Sequence, residues 1–135
     1  MSSDEYDKVE LPALNQLQSI GWEYVDSSAL SSEESEERKS FKDVVLEKRL
    51  SRSIKQINSW INNENLRKVV RDLTRAQFPN LIEANQSNWQ ELTQYISVFQ
   101  DLGQGNKGQT VKIIDFDNPD NNEFICTNQF KVSGI

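Results

Sequence analysis

The chain has 135 residues, with 21 acidic against 15 basic side chains and no histidine. A chain of this length buries roughly two thirds of its unfolded surface and needs no disulfide or metal to fold. Without histidine, the Ser/His/Asp, Cys/His and HExxH chemistries are excluded, and any catalysis rests on carboxylates, lysines or groups supplied from elsewhere.

Cys126 is the single cysteine. It can form neither an internal disulfide nor a cysteine zinc site, which points to a reducing compartment. Between Ile125 and Thr127 it reads as a small, half-buried strand residue. The opening MSSDEYDKVE is acidic where a secretory leader is basic and apolar, and no apolar run approaches the ~20 residues of a membrane span. A soluble, cytoplasmic chain with no membrane partner is expected. Charge is uneven: residues 1–50 carry 12 acidic and 6 basic side chains, 51–100 carry 4 and 6, and 101–135 carry 5 and 3. The acidic total argues against a free-standing, non-specific nucleic-acid binder, though not against a piece of a larger DNA enzyme.

In chain order, Ala13, Leu14, Leu17 and Ile20 recur at helical spacing, with Pro12 in the first turn and Gly21 as the stop. Glu10 then sits at or beside the start of a short amphipathic helix, where the dipole favours an anion. Trp22–Val25 reads as a short extended segment. Residues 26–40 hold six serines and five acidic residues, and read as a mobile loop with almost nothing to bury. Val45, Leu46, Leu50, Ile54 and Ile57 predict a helix over 42–59. Leu66, Val69, Val70 and Leu73 predict a second after Asn62-Asn63, and Leu81, Ala84, Asn85, Trp89, Leu92 and Ile96 outline a third after Pro79-Asn80. Three such helices make a small bundle. Beyond residue 101 come two β-rich runs, Thr110–Phe116 and Glu123–Val132, separated by the turn formers Asp117–Asn122.

Three constellations carry possible chemistry. Gly103, Gly105 and Gly108 form a GxGxxG array, but it follows a helical pattern and opens a strand, the reverse of a dinucleotide site, so it reads as a flexible or hairpin loop. Asp115, Asp117, Asp120 and Glu123 are oxygen ligands of the kind that hold hard cations, yet they lack EF-hand spacing and suit turn chemistry. Arg67, Lys68, Arg71 and Arg75 form a basic stripe in which the three arginines step by four along one helix face. That stripe is either a solvated or partner-docking face, or a row that tracks phosphates.

Three strings together are similar to the N-terminal region of the R subunit (HsdR) of type I restriction enzymes. They are ELPALNQLQSIGWEY from Glu10, ERKSFKDVVLEKRL from Glu37, and above all IIDFDNPDNNEFICTNQFKV from Ile113. The resemblance runs from Glu10 to Gly134. It implies an α+β fold: a partial PD-(D/E)XK nuclease-like core made of residues 9–25 and 109–132, with a helical insert at 41–100 and the mobile loop at 26–40.

In that family the strands after NQF carry an Asp and a Glu-x-Lys that bind Mg2+ and activate water. The R subunit continues into an ATP-dependent translocase motor and docks on methyltransferase and specificity subunits, and the assembly cleaves unmethylated foreign double-stranded DNA. Here the chain reaches Val132-Ser-Gly-Ile135 without those strands or a Walker motif. The expectation is therefore an endonuclease-domain fragment that is inactive alone and holds no complete metal site. Its cofactors Mg2+ and ATP belong to the complete subunit. Glu10 is carried over as a supporting catalytic carboxylate. Asp115, Asp117, Asn118, Pro119, Asn122, Phe124, Asn128, Gln129 and Phe130 are the family signature, with Asn122, Asn128 and Gln129 mainly structural. The rival reading is a free-standing helical protein–protein interaction module without catalysis.

Overall fold

The computed structural model of the chain describes residues 3–30, 43–75 and 80–133. Helix and sheet are mixed, and the chain divides into two compact units: Met1–Leu46 with Glu123–Ile135, and Glu47–Asn122.

The first unit begins with a single helical turn α1 (Ser3–Glu5), a π-helical turn Tyr6–Glu10 and the helix α2 (Leu11–Ser19). The widened turn has a local cause. Pro12 has no N–H to give, and its ring collides with the carbonyl four residues back in a regular helix. Here the Leu11 N–H reaches Tyr6 O, one residue further back than in an α-helix. At the other end Gly21 adopts φ +102°. Its N–H donates to Gln18 O at 3.1 Å and that of Trp22 to Leu17 O at 3.0 Å, the paired bonds of a Schellman stop.

The chain then enters β1 (Glu23–Tyr24), which pairs in parallel with a strand from the far end of the sequence, Ile125–Cys126. Glu23 N donates to Phe124 O at 2.8 Å and Val25 N to Cys126 O at 3.0 Å. Trp22 packs on Phe124, with ring centroids 5.3 Å apart and planes tilted by 60°. Among the described residues of this unit Leu14 and Leu30 are the buried apolar side chains. Leu30 closes a 3-10 turn, Ser27–Leu30, so the segment expected to bury almost nothing contributes one of them. The rest of the expected loop, from residue 31, lies outside the described residues.

The second unit contains α3 (Glu47–Ile57), α4 (Asn63–Thr74), α5 (Leu81–Gln94) and the antiparallel hairpin β2 (Ile96–Asp101) and β3 (Asn106–Val111). The two-residue strand Ile125–Cys126 of the first unit is β4. Asn62 and Asn80 cap α4 and α5, accepting from Asn65 N and Glu83 N at 2.8 Å each. Ile54, Ile61, Val69, Val98 and Val111, all at or below 1% exposure, form the core with Val70 and Ile113.

Several expected boundaries change. Ile96 continues the i, i+4 pattern of Leu92, but Tyr95 takes φ +70° and ends the helix. Ile96–Asp101 is a strand whose alternate residues Val98 and Gln100 point inward. The helical insert therefore does not run to residue 100, and the hairpin residues Val98 and Val111 enter the core while Leu92 of α5 packs against it only partly buried. Leu81 and Trp89, expected to be inward, are 79% and 67% exposed. The strand expected over Thr110–Phe116 is β3, which stops at Val111, and of the run Glu123–Val132 only β4 is strand. The two runs do not pair with each other: β3 joins β2, and β4 joins β1.

Buried amides join these elements. Asn58, at 2% exposure, donates from Nδ2 to Ile54 O (2.9 Å) and Lys112 O (2.7 Å), and its Oδ1 accepts from Lys112 N at 2.9 Å. Gln100 donates to Trp60 O at 2.7 Å and accepts from Asn62 N and Asn65 Nδ2, each at 3.0 Å. Lys55 Nζ donates to the Ile61 carbonyl. One buried group is not satisfied: among the described residues Glu91 Oε2 has no hydrogen-bond partner. Burial, and then the charge of Asp72, push the Glu91 carboxyl up.

Two stability measurements follow from these amides and this carboxyl. Asn58→Ala leaves the Lys112 N–H and carbonyl unpaired inside the unit, at a cost of about 2–4 kcal/mol, read as a lower denaturant midpoint. For Glu91 the folded state holds its proton more tightly than the unfolded one. The penalty is therefore absent below the unfolded value near ~4.3 and grows as pH rises through the raised value. Glu91→Gln should leave Tm unchanged in acid and raise it at neutral pH.

Candidate functional site

In the first unit the backbone is helical from Ser3 to Ser19, so Glu10 is not at a helix start. Its backbone is helical, with φ −69° and ψ −52°, and it closes the widened turn ahead of α2. The helix dipole cannot be what favours its charge. The carboxylate is held instead by the residues that follow β4. Asn128 Nδ2 donates to Glu10 Oε2 at 2.8 Å, and Gln129 Nε2 donates to Oε1.

Two adjacent residues of an extended strand point to opposite faces. Gln129 takes φ +54°, a left-handed conformation that breaks this alternation, and both amides address one carboxylate. The amide of Asn128 is itself oriented. Tyr24 OH donates to its Oδ1 at 2.9 Å, which turns Nδ2 toward Glu10. Burial, and then the charge of Asp26, push the Tyr24 hydroxyl up, so it stays a donor at neutral pH. Asp26 is held below the usual carboxylate range, first by the Ser28 N–H at 2.9 Å and then by the Ser28 hydroxyl at 2.8 Å.

Both Glu10 oxygens thus accept from neutral donors, and each keeps a further lone pair. Among the described residues no lysine or arginine forms an ion pair with Glu10. The site is an oriented carboxylate whose charge is not cancelled by a neighbouring cation. Tyr24 was missed as a site residue, although it lies in the string that carries the resemblance. Its role depends on β1 and β4 being neighbours, which no local pattern reveals.

The remaining signature residues fall elsewhere. Phe124 packs on Trp22 in the first unit, and Phe130 is half-buried there. Asp115, Asp117, Asn118, Pro119 and Asn122 form a turn in the second unit. Asp115, 5% exposed, accepts from Asn118 N and Asn121 Nδ2 at 3.0 Å each. Asn122 closes the turn, its Oδ1 accepting from Asp115 N and its Nδ2 donating to Asp115 O, both at 2.8 Å. Asp117 pairs with Lys112 at 2.8 Å. Asp115 and Asn122 are thus engaged within the turn, by its backbone and by the Asn121 side chain, and Asp117 by Lys112. Among the described residues no three carboxylate or cysteine side chains gather as metal ligands.

Of the glycine array, Gly108 lies in β3 opposite Phe99, while Gly103 and Gly105 are in the β2–β3 hairpin loop, have positive φ and donate their N–H groups to Asp101 Oδ1 at 2.7 and 3.2 Å. Arg67, Lys68 and Arg71 lie on α4, and Arg75 follows its last residue in an extended conformation. The three arginines line a groove between α3 and α4, whereas Lys68 is exposed outside it.

The turn makes an acid-stability prediction. The hydrogen bond from Asn121, and next that from the Asn118 N–H, hold the Asp115 carboxyl below the usual range. Its contribution is complete above the unfolded value near ~3.9 and is lost as pH falls through the depressed value. Asn121→Ala should move the acid-unfolding midpoint to higher pH, as read by near-UV circular dichroism. An unmoved midpoint would mean that the turn does not need an ionised Asp115.

Comparison with known proteins gives this geometry a family. The family described as "Type I restriction enzyme R protein N terminus" matches residues 2–135. A Methanocaldococcus jannaschii protein, provisionally named the MjaIXP endonuclease subunit of a type I restriction enzyme, is 34% identical over 125 residues, covering 92% of this chain and 12% of that protein. The type I restriction enzyme HindI endonuclease subunit of Haemophilus influenzae is 26% identical over 125 residues, again 92% of this chain and 12% of that protein. No solved structure matches the chain. Among the described residues no helix is long and apolar enough to cross a membrane. By the match over residues 2–135 and the identity to these endonuclease subunits, the chain belongs to the family of type I restriction enzyme R protein N-terminal regions.

Proposed function

We propose that this chain is the N-terminal part of the endonuclease domain of an R subunit, a partial PD-(D/E)XK-type core acting in the cytoplasm. In the complete protein it takes part in ATP-dependent cleavage of unmethylated double-stranded DNA, together with methyltransferase and specificity subunits. The observation that carries the reading is the Glu10 carboxylate, oriented by Asn128 and Gln129 and paired with no cation among the described residues. Those two amides belong to the NQF string of the family signature.

In this reading Glu10 is a supporting carboxylate. Its remaining lone pairs would accept from a water or help further carboxylates to hold a cation, and Asn128, Gln129 and Tyr24 are positioning residues. Metal-assisted hydrolysis needs several carboxylates converging on the cation. Glu10 alone cannot supply them, so the chain by itself does not cleave DNA. Mg2+ and ATP are cofactors of the complete subunit.

The test uses the complete R subunit assembled with its partner subunits. Glu10→Ala should lower cleavage while ATP hydrolysis continues, and Asn128→Ala should lower it by roughly 10–100-fold, the usual effect of removing a group that orients a ligand. Asn128→Asp, which sets a second carboxylate against the first, should be at least as damaging. Full cleavage by Glu10→Ala would remove this residue from the reaction. Robust Mg2+-dependent cleavage by the 135-residue chain alone would show that the catalytic carboxylates had been misassigned.

A further inference from the structure

The second unit contains a groove of about 390 Å3, lined by Glu47 and Ser51 of α3 and by Arg67, Val70, Arg71, Thr74 and Arg75 of α4 and its end. Three guanidinium groups face one carboxylate in a chain whose net charge is −6. Among the described residues neither Arg67 nor Arg75 has an ion-pair partner, and Arg71 Nε comes only to 4.0 Å from Asp72 in a half-exposed contact. The arginines are therefore spare charge gathered in one concave place.

The groove's composition distinguishes between ligands. Its apolar content is Val70, which is 8% exposed and belongs to the core. A protein partner needs buried aromatic or aliphatic anchors, and none is offered. The Thr74 hydroxyl proton is committed to Val70 O at 2.8 Å, so apart from the Ser51 hydroxyl the donors are the guanidinium forks, whose geometry matches phosphate oxygens two at a time. Four residues space Arg67 and Arg71 by about 6 Å along the helix, and Arg75 follows directly at its end, a row suited to a ligand that repeats its charge. The C-terminal end of a helix repels anions, so attraction depends wholly on the arginine charge.

We propose that the α3–α4 groove is a docking site for the phosphodiester backbone of DNA, binding charge without reading sequence. The proposal rests on the R-subunit reading, in which double-stranded DNA is the substrate.

The test measures fluorescence anisotropy of a short labelled duplex with the 135-residue chain across a salt series. Each phosphate contact contributes about 0.9 to the slope of log Kobs against log salt. The variant Arg67→Ala/Arg71→Ala/Arg75→Ala should bind more weakly at low salt and lose about 2–3 of that slope. Its fold is checked by circular dichroism. Arg67→Lys/Arg71→Lys/Arg75→Lys should keep most of the slope, since the charge remains. An unchanged slope in the alanine variant, no duplex binding by the unaltered chain, or equal competition by polyglutamate would each overturn the proposal. Cleavage by the complete enzyme is the separate readout: if it persists while the groove binds no DNA, only the groove assignment fails, and if the complete enzyme cuts no DNA, the R-subunit reading fails.

Discussion

The parallel pairing of Glu23–Tyr24 with Ile125–Cys126 is the contact on which the candidate site depends. It joins residues about a hundred positions apart, and α2 precedes one strand while Asn128 and Gln129 follow the other. Without the pair, Glu10 has no amide donors and Trp22 has no Phe124. Two residues per strand make a small ladder, and a two-stranded sheet is marginal in water. Its persistence rests on the aromatic contact, on buried Leu14 and Leu30, and on the Tyr24–Asn128–Glu10 hydrogen bonds. The entropic cost of closing so long a loop rises by only about 0.6 kcal/mol per doubling of length. A sequence insertion of this size is therefore compatible with a short closing ladder.

The two units use polar side chains differently. In the second, the amides of Asn58 and Gln100 satisfy the main chain of the α3–α4 connection and of Lys112, and Asp115 is consumed by its own turn. These groups are buried and fully engaged, which suits rigidity and leaves nothing for a ligand. In the first unit the donors that reach Glu10 among the described residues are the neutral amides of Asn128 and Gln129. The same contrast separates the acidic turn, where Asp117 is paired with Lys112, from the arginine groove, where the cations outnumber the carboxylate.

Local punctuation was legible in the residues. Gly21 stops α2 because a left-handed residue is needed there, the Gly103–Gly105 loop turns a hairpin, and the Asp–Asn–Pro segment folds into a turn. The family was legible in three strings. Ile96 was misread because an i, i+4 spacing from Leu92 continues a helix as readily as an alternation of Ile96, Val98 and Gln100 starts a strand. Leu81 and Trp89 were misread because periodicity identifies a shared face without saying whether another element covers it.

By itself the sequence determined the turns, the helix stops and the lack of histidine that restricts chemistry to carboxylates and cations, because these depend on a few adjacent residues or on composition alone. Only the tertiary structure decided which strands pair, which asparagines are buried and which groups meet Glu10. Those outcomes join residues far apart in the chain through single hydrogen bonds, and nothing in the spacing of Glu10 from Asn128 marks them as partners.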